Sequence, residues 1–248
     1  MSSITPPYPY PVSNSDLITS HSLIKHFEGG YFAQTVSIES SLESDNANNN
    51  SHVPKSAALE GRVQISAGPG AELLSGIKGS ENAPTGGEEK KTDATLIYYL
   101  LTPDSYRGRM HMNLHSTFHL HHSGRALYTL IKPPSSSEPS AKPTIHRFVM
   151  GPNPSLGEVT QLFVPGGWWK ASEIPDEDLL LLDSPSGNEQ LRDKMGCLIS
   201  EVVVPGWNPD QHQFIDEDKL KAMWGGEPGW EQYSKYIKAP EGLEYPDK

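Results

Sequence analysis

The chain has 248 residues, a formal net charge of −11, 21% charged and 35% hydrophobic residues, and 22 each of Gly and Pro. This describes a loop-rich protein with apolar material for one core, and all-β domains of this length are common as single units. The acid excess and the lack of any Lys/Arg cluster exclude nucleic acid and anionic membrane as partners, because phosphate binding needs clustered positive charge.

Residues 1–15 are Pro- and Ser-rich, with neither a basic start nor an apolar stretch. They read as an extended or disordered segment rather than a secretory leader, so a cytoplasmic location is expected. No run approaches the ~18 apolar residues that span a bilayer. Helical periodicity occupies Asp16–Lys25, and strand-like runs follow at Tyr31–Ile38, Thr95–Leu101, Arg109–Leu114, Thr117–His122, Ala126–Ile131, Thr144–Met150, Thr160–Val164, Trp168–Ser172, Leu179–Leu182 and Gly196–Val204. Polar stretches near 40–56, 78–93, 133–143 and 183–194 interrupt them and read as surface insertions, since none buries enough apolar area to offset its ordering entropy. A second helix is predicted over Asp216–Trp224, with Asp216 as N-cap and Gly225 as its stop. The pattern predicts an all-β sandwich or barrel over 16–215, and a C-terminal helical extension, 216–248, packed on it. Cys197 is the only cysteine, which excludes a disulfide framework and reads as a small buried hydrophobe.

The chemistry concentrates between Gly108 and Gly124, where five of the ten histidines fall. The stretch alternates polar and apolar residues as a β-hairpin would, so His111 and Asn113 share one face and Thr117, His119 and His121 another. Imidazoles on a sheet interior make either a metal site or a proton-transfer site.

The spacing fits a cupin frame. That frame runs His-x-His, three residues, Glu, six residues, Gly; counting from His111 puts Asn113, Thr117 and Gly124 at its positions. A second block, Pro165-Gly166-Gly167-Trp168-Trp169-Lys170, matches Pro-x-Gly-x-x-His with Lys170 in place of the His. Of four metal-ligand positions only His111 keeps a ligand. The chain also resembles the Cupin-5 branch of the cupin superfamily, in His26-Phe27-Glu28-Gly29-Gly30-Tyr31-Phe32, Ile97–Pro103, Gly108-Arg109-x-His111-x-Asn113, Thr117-x-His119, His122-x-Gly124-Arg125, Gln161 with Gly166-Gly167-x-x-Lys170-Ala171-Ser172, and Ser200–Gly206. The resemblance implies a cupin double-stranded β-helix, a jelly-roll barrel, with short flanking helices, a homodimer, and a small-molecule substrate inside the barrel. It implies no particular reaction.

Two uses of these residues stay open. A metal would need a regrouped set of His111, His119 and His121 or His122 holding Fe, Zn or Ni, against the repulsion of the Lys170 ammonium. Without a cofactor, His111 or His119 is the base, Lys170 or Arg109 stabilises an enolate oxygen, and Tyr31 or Tyr128 returns the proton. Asn113, Thr117, His121, Glu28, Gln161, Trp168 and Glu201 complete the expected substrate-binding set, Glu201 paired with Arg109 or Lys170 because an isolated charge on an apolar strand is costly. His115 reads as a solvated turn residue and His122 as facing away. His21, His52, His146 and His212 read as surface or core residues. The expected function is a metal-independent isomerase, epimerase, cyclase or lyase acting on a small oxygenated metabolite, by analogy of fold with the cupin sugar epimerases. The alternatives are a metal-dependent dioxygenase or lyase and a non-catalytic binding protein.

Overall fold

A computed structural model describes residues 7–39, 63–65, 92–135, 142–183, 189–238 and 240. The expected insertions at 40–56 and 78–91, His52, and the middle of the other two insertions lie outside the described residues. The strands, in chain order, are β1 (Ile24–Lys25), β2 (Tyr31–Glu39), β3 (Val63–Ile65), β4 (Thr92–Leu101), β5 (His111–Asn113), β6 (Ser116–Gly124), β7 (Ala126–Lys132), β8 (Thr144–Met150), β9 (Gln161–Val164), β10 (Trp169–Glu173), β11 (Cys197–Val204) and β12 (His212–Phe214). They form two sheets, one ordered β1-β2-β4-β11-β6-β9 with β3 beside β2, the other ordered β12-β5-β10-β7-β8, and every strand pair within them is antiparallel. This is the all-β cupin jelly roll.

Period-2 alternation decides which side chains meet between the sheets. Tyr99, Leu101, Tyr128, Leu130, Cys197 and Ile199 point inward and join one buried cluster with Met150, Leu162 and Ile174. Residues of the other parity point outward and are covered by chain ends. Met110, Met112, Ile131, Trp169 and Ala171 pack under Leu220, Trp224, Tyr233 and Tyr236 of the C-terminal segment. Ala33, Leu100 and Leu198 pack under Tyr8, Tyr10 and Leu17 of the N-terminal segment. Each capped face removes apolar area from water at roughly 25 cal/mol per Å2, so both segments contribute to the stability of the sheet they cover.

Three expectations are corrected. The histidine-rich stretch is not a hairpin. β5 pairs with β10 and β12, while β6 pairs with β11 and β9, so Leu114 and His115 carry the chain from one sheet to the other. Alternation reports a face and not a pairing partner, so the two arrangements have the same pattern. Leu179–Leu182 is helical rather than extended, within α2 (Asp176–Leu179) and a following 3-10 turn. Pro175 at its cap and three acids in its first turn favour a helix start. The first helix, α1 (Asn14–Ser20), is capped by Ser13 and ends early, because Ser22 takes a left-handed φ of 53° and Ile24–Lys25 pairs with β2. A further one-turn helix, α3 (Glu189–Arg192), lies in the fourth insertion. The C-terminal helix, α4 (Glu217–Met223), has Asp216 as N-cap as expected, its side chain accepting the Lys219 N–H.

The Gly124-Arg125 pair is the corner between β6 and β7. Gly124 has φ +74°, and a Cβ there would run into the Gly196 carbonyl. Arg125 reaches Glu158 at 2.8 Å and Asp178 at 2.5 Å, tying the corner to α2. This part of the expected family pattern is structural.

Candidate functional site

A cleft between the sheets is lined by Glu28, Tyr99, Gly108, Arg109, His111, His119, Tyr128, Lys170, Ala171, Ser172 and Glu201. Its volume is about 290 Å3 out to the mouth, while its closed interior has room for about one water. Two carboxylates, each with its own partners, organise it.

The first is Glu201. β11 sets it directly opposite His119 on β6. Lys170, on β10 opposite Leu130 and His111, crosses from the facing sheet. Its Nζ forms a buried ion pair with Glu201 Oε1 and donates to His119 Nε2 at 3.2 Å. Thr117 Oγ1 also donates to that nitrogen, at 3.1 Å. With the Nε2 lone pair so used, the ring proton lies on Nδ1, 3.2 Å from Tyr128 Oη and 3.6 Å from Glu201 Oε2. Burial, with the Lys170 charge adding to it, pushes His119 down to about 3, although Glu201 opposes the shift. Burial alone would raise Glu201, but the Lys170 ammonium outweighs it and holds the carboxyl below its usual range. Burial raises the Tyr128 phenol well above its ordinary value.

The second is Glu28. The tight turn at Gly29-Gly30 returns the chain into β2, and the Arg109 N–H donates to the Glu28 carbonyl at 2.6 Å, stitching this loop to the start of β5. At Gly30, φ +72° and the nearby Leu100 carbonyl leave no room for a side chain. His212, placed on β12 opposite Asn113, donates Nε2–H to Glu28 Oε1 at 2.7 Å. His111 Nδ1 donates to the Arg109 carbonyl at 3.0 Å, so its Nε2 faces Glu28 Oε2 at 3.3 Å with no hydrogen-bond partner. His26 Nδ1 stands 3.6 Å from the same oxygen and is likewise unpartnered. Burial pushes His111 down to about 4 and lowers His26. Burial works to raise Glu28, yet the surrounding imidazoles, His111 foremost, hold it well below the carboxylate range. At neutral pH His111 and His26 therefore face this carboxylate as neutral imidazoles.

Of the residues expected at the site, His111, His119, Lys170, Arg109, Glu28, Tyr128 and Glu201 line the cleft. Thr117 is buried beside it on His119, and Asn113 is buried with its Oδ1 unpartnered. Four others are not brought there. His121 lies two residues farther along β6, opposite Ile199, and its Nε2 donates to the Gly124 carbonyl at 2.9 Å. Tyr31 packs with the N-terminal cluster on the outer face. Gln161 is exposed on β9. Trp168 precedes β10 and stacks on His146, centroids 5.3 Å apart. His122 is the extra residue of a bulge in β6, exposed on the outer face with Ser200 and Tyr98. The regrouped metal set of His111, His119 and His121 or His122 therefore does not form. The cupin frame positions fit a cation no better, since the Lys170 ammonium occupies one of them, already bound to Glu201 and His119.

The sequence reading missed two residues of the second wall. His26 was within reach, at the same parity as Glu28 in a quoted block. His212 carries no local signal, because only the β12–β5 pairing brings it in.

The comparisons follow the same lines. The family model described as Cupin superfamily (DUF985), Cupin_5, matches residues 15–215. An uncharacterised protein of Saccharomyces cerevisiae is 33% identical over 224 residues, covering 89% of this chain and 85% of that one. Among solved structures, a hypothetical protein from Leishmania major has a TM-score of 0.54 at 18% identity, over 88% of this chain and 96% of its own. A Shewanella oneidensis protein has a TM-score of 0.52 at 15% identity, over 92% and 96%. These two likenesses bear on the fold alone. Among the described residues no helix is long and apolar enough to cross a membrane. The chain belongs to the Cupin_5 family of the cupin superfamily.

Proposed function

We propose that this protein is an enzyme that moves a proton on carbon in a small oxygenated metabolite, as an isomerase, epimerase, cyclase or lyase does, with side chains alone as its reacting groups. The observation that carries this reading is Lys170 Nζ held between Glu201 and His119 Nε2 at 3.2 Å. When a substrate carbonyl enters, its oxygen replaces His119 as acceptor of a Lys170 N–H. The freed Nε2 lone pair then takes a proton from the carbon next to the carbonyl. The C–H electron pair moves onto the carbonyl oxygen, where Lys170 supplies the stabilising charge; the Arg109 guanidinium is instead packed over Phe214 and bonded to the Ile237 carbonyl.

The swap also adjusts the base. His119 sits near 3 in the closed arrangement because of burial and the Lys170 charge. Turning the Lys170 N–H toward substrate relieves the second of these, while Tyr128 Oη and Glu201 Oε2 remain beside Nδ1 to stabilise the imidazolium. The narrow cleft excludes bulk water, which strengthens each of these interactions. Two further expectations, a homodimer and a cytoplasmic location, rest on resemblance and composition and not on this site.

Solvent exchange tests the reading. A panel of α-hydroxy-carbonyl compounds is incubated with the protein in D2O and followed by NMR. At least one compound is expected to gain deuterium at the carbon next to its carbonyl, with the rate lost in Lys170→Met and in His119→Gln. Absence of exchange across the panel, or exchange that survives both substitutions, overturns the proposal.

A further inference from the structure

We propose that Glu28, His111 and His212 form a binding site for one divalent cation of borderline softness, such as Zn2+ or Co2+, with an open position toward the cleft. This goes beyond the function proposed above, whose proton transfer runs on Lys170 and His119 and needs no cation. It is also a different place from the cupin frame positions, with which it shares only His111.

Three observations carry it. First, one ligand atom from each residue lies within 4.8 Å of the others. Ligand atoms around a tetrahedral ion with bonds of about 2.0–2.1 Å stand about 3.3 Å apart. His111 Nε2 is 3.3 Å from Glu28 Oε2, which matches that spacing; His212 Nε2, hydrogen-bonded to Glu28 Oε1 at 2.7 Å, would coordinate once its proton moves to Nδ1 and the ion takes the place of that hydrogen bond. Second, the contact between His111 and Glu28 lacks a positive charge. Because Nδ1 carries the ring proton to the Arg109 carbonyl, the Nε2 lone pair is aimed at a carboxylate oxygen. Two lone pairs facing each other in a site where His111 is 9% exposed are repulsive until something positive sits between them. His26 Nδ1, unpartnered and 3.6 Å from the same oxygen, repeats the arrangement at the edge of the site. Third, the surroundings suit a ligand set. The backbone bond to His111 Nδ1 fixes the tautomer that leaves Nε2 free to coordinate, as outer partners of metal-bound histidines do. Phe27 and Phe214 set their edges against His212, with centroids 5.6 and 4.9 Å away. Two imidazoles and one carboxylate favour a borderline ion over Mg2+ or Ca2+, which take oxygen ligands.

The test is a titration of the full chain, purified, stripped with chelator and dialysed, using Co2+ and Zn2+ separately. The wild type is expected to take up one equivalent of each, to show the visible absorption of imidazole-bound Co2+, and to gain thermal stability with Zn2+. Glu28→Gln and His212→Ala should each weaken uptake by about 100-fold or more, and His212→Asn serves if the alanine variant fails to fold by circular dichroism. Lys170→Met should keep the full equivalent. No uptake by the wild type, or uptake unchanged in folded Glu28→Gln and His212→Asn, overturns the proposal. So does uptake lost in folded Lys170→Met, because Lys170 is not one of the proposed ligands. None of these readouts is turnover, so this proposal fails separately from the solvent-exchange reading.

Discussion

Glu201 and Glu28 line the same cleft, both buried, yet they are neutralised in different ways. Glu201 meets the Lys170 ammonium in a closed ion pair. Glu28 meets three imidazoles, one of which donates to it while two aim unpartnered nitrogens at it. A closed pair has a fixed charge and fails when either half is removed. A carboxylate among imidazoles has a charge that a proton, a cation or a ligand can alter. The comparison teaches that burial alone does not say what a carboxylate is for, since the partner's ability to change its charge decides it.

The largest expected effect is on the closed pair. Lys170→Met leaves Glu201 as an uncompensated buried charge and should cost about 3–5 kcal/mol in denaturant unfolding. Exchange activity should fall by roughly 10²–10³, as when one oxyanion donor is lost. Lys170→Met combined with Glu201→Leu should recover most of the stability and none of the activity, because the stranded charge is gone. Glu28→Gln tests the other wall. Its partners are imidazoles and an amide still accepts from His212, so unfolding should cost less, about 1–3 kcal/mol. An equal or larger loss for Glu28→Gln than for Lys170→Met would break the contrast between the walls.

How much of this was legible in the sequence follows from what alternation encodes. Period 2 put His111 with Asn113 and Thr117 with His119, because a face depends only on parity within one strand, while Lys170 came from the spacing of the cupin frame and Glu201 from the cost of an isolated charge on an apolar strand. Pairing depends on where the chain turns between sheets, and the corner at Leu114-His115 has no signature that separates it from a hairpin loop. His121 shows the limit in another way. It shares parity with His119, but two residues farther along the strand it has passed the cleft and turns to the Gly124 carbonyl. His212 was out of reach because its place comes from tertiary pairing, whereas the His26-Phe27-Glu28 block already held two residues of the second wall.

Acid should sharpen the comparison by a smaller, graded amount. The His119 imidazole titrates near 3 in the folded chain, below its ordinary 6.5. Above about pH 6.5 it is neutral whether folded or unfolded, and its contribution does not vary. As pH falls below that value the unfolded chain takes up a proton that the folded one refuses, so stability drops by up to about 1.4 kcal/mol per pH unit for each such group. His26 and His111, also lowered by burial, act in the same direction. Glu28 and Glu201, held below the carboxylate range, lose their contribution only once the unfolded carboxyls begin to protonate, below about 4.5. In the window from about 6.5 to 4.5 the imidazoles dominate the fall, with Asp178, raised by burial, working the other way. Urea unfolding across it should show the stability of the wild type falling, with a shallower slope in His119→Gln. An identical slope in the variant would mean that His119 is not held neutral by the fold.

The smallest effect should come from His122, which adjoins His121 in sequence and shares its residue type with both walls. The bulge in β6 places it on the outer face, where its Nε2 bonds to Ser200 Oγ at 2.7 Å and its ring meets Tyr98. A single exposed hydrogen bond of this kind contributes at most about 0.5–1 kcal/mol. His122→Ala should therefore shift unfolding by no more than that, with Co2+ uptake and solvent exchange at wild-type levels. If either readout collapses in this variant, the register of β6 past His121 is not the one described. The parity of His119, on which the Glu201 wall depends, would then have to be reassigned with it.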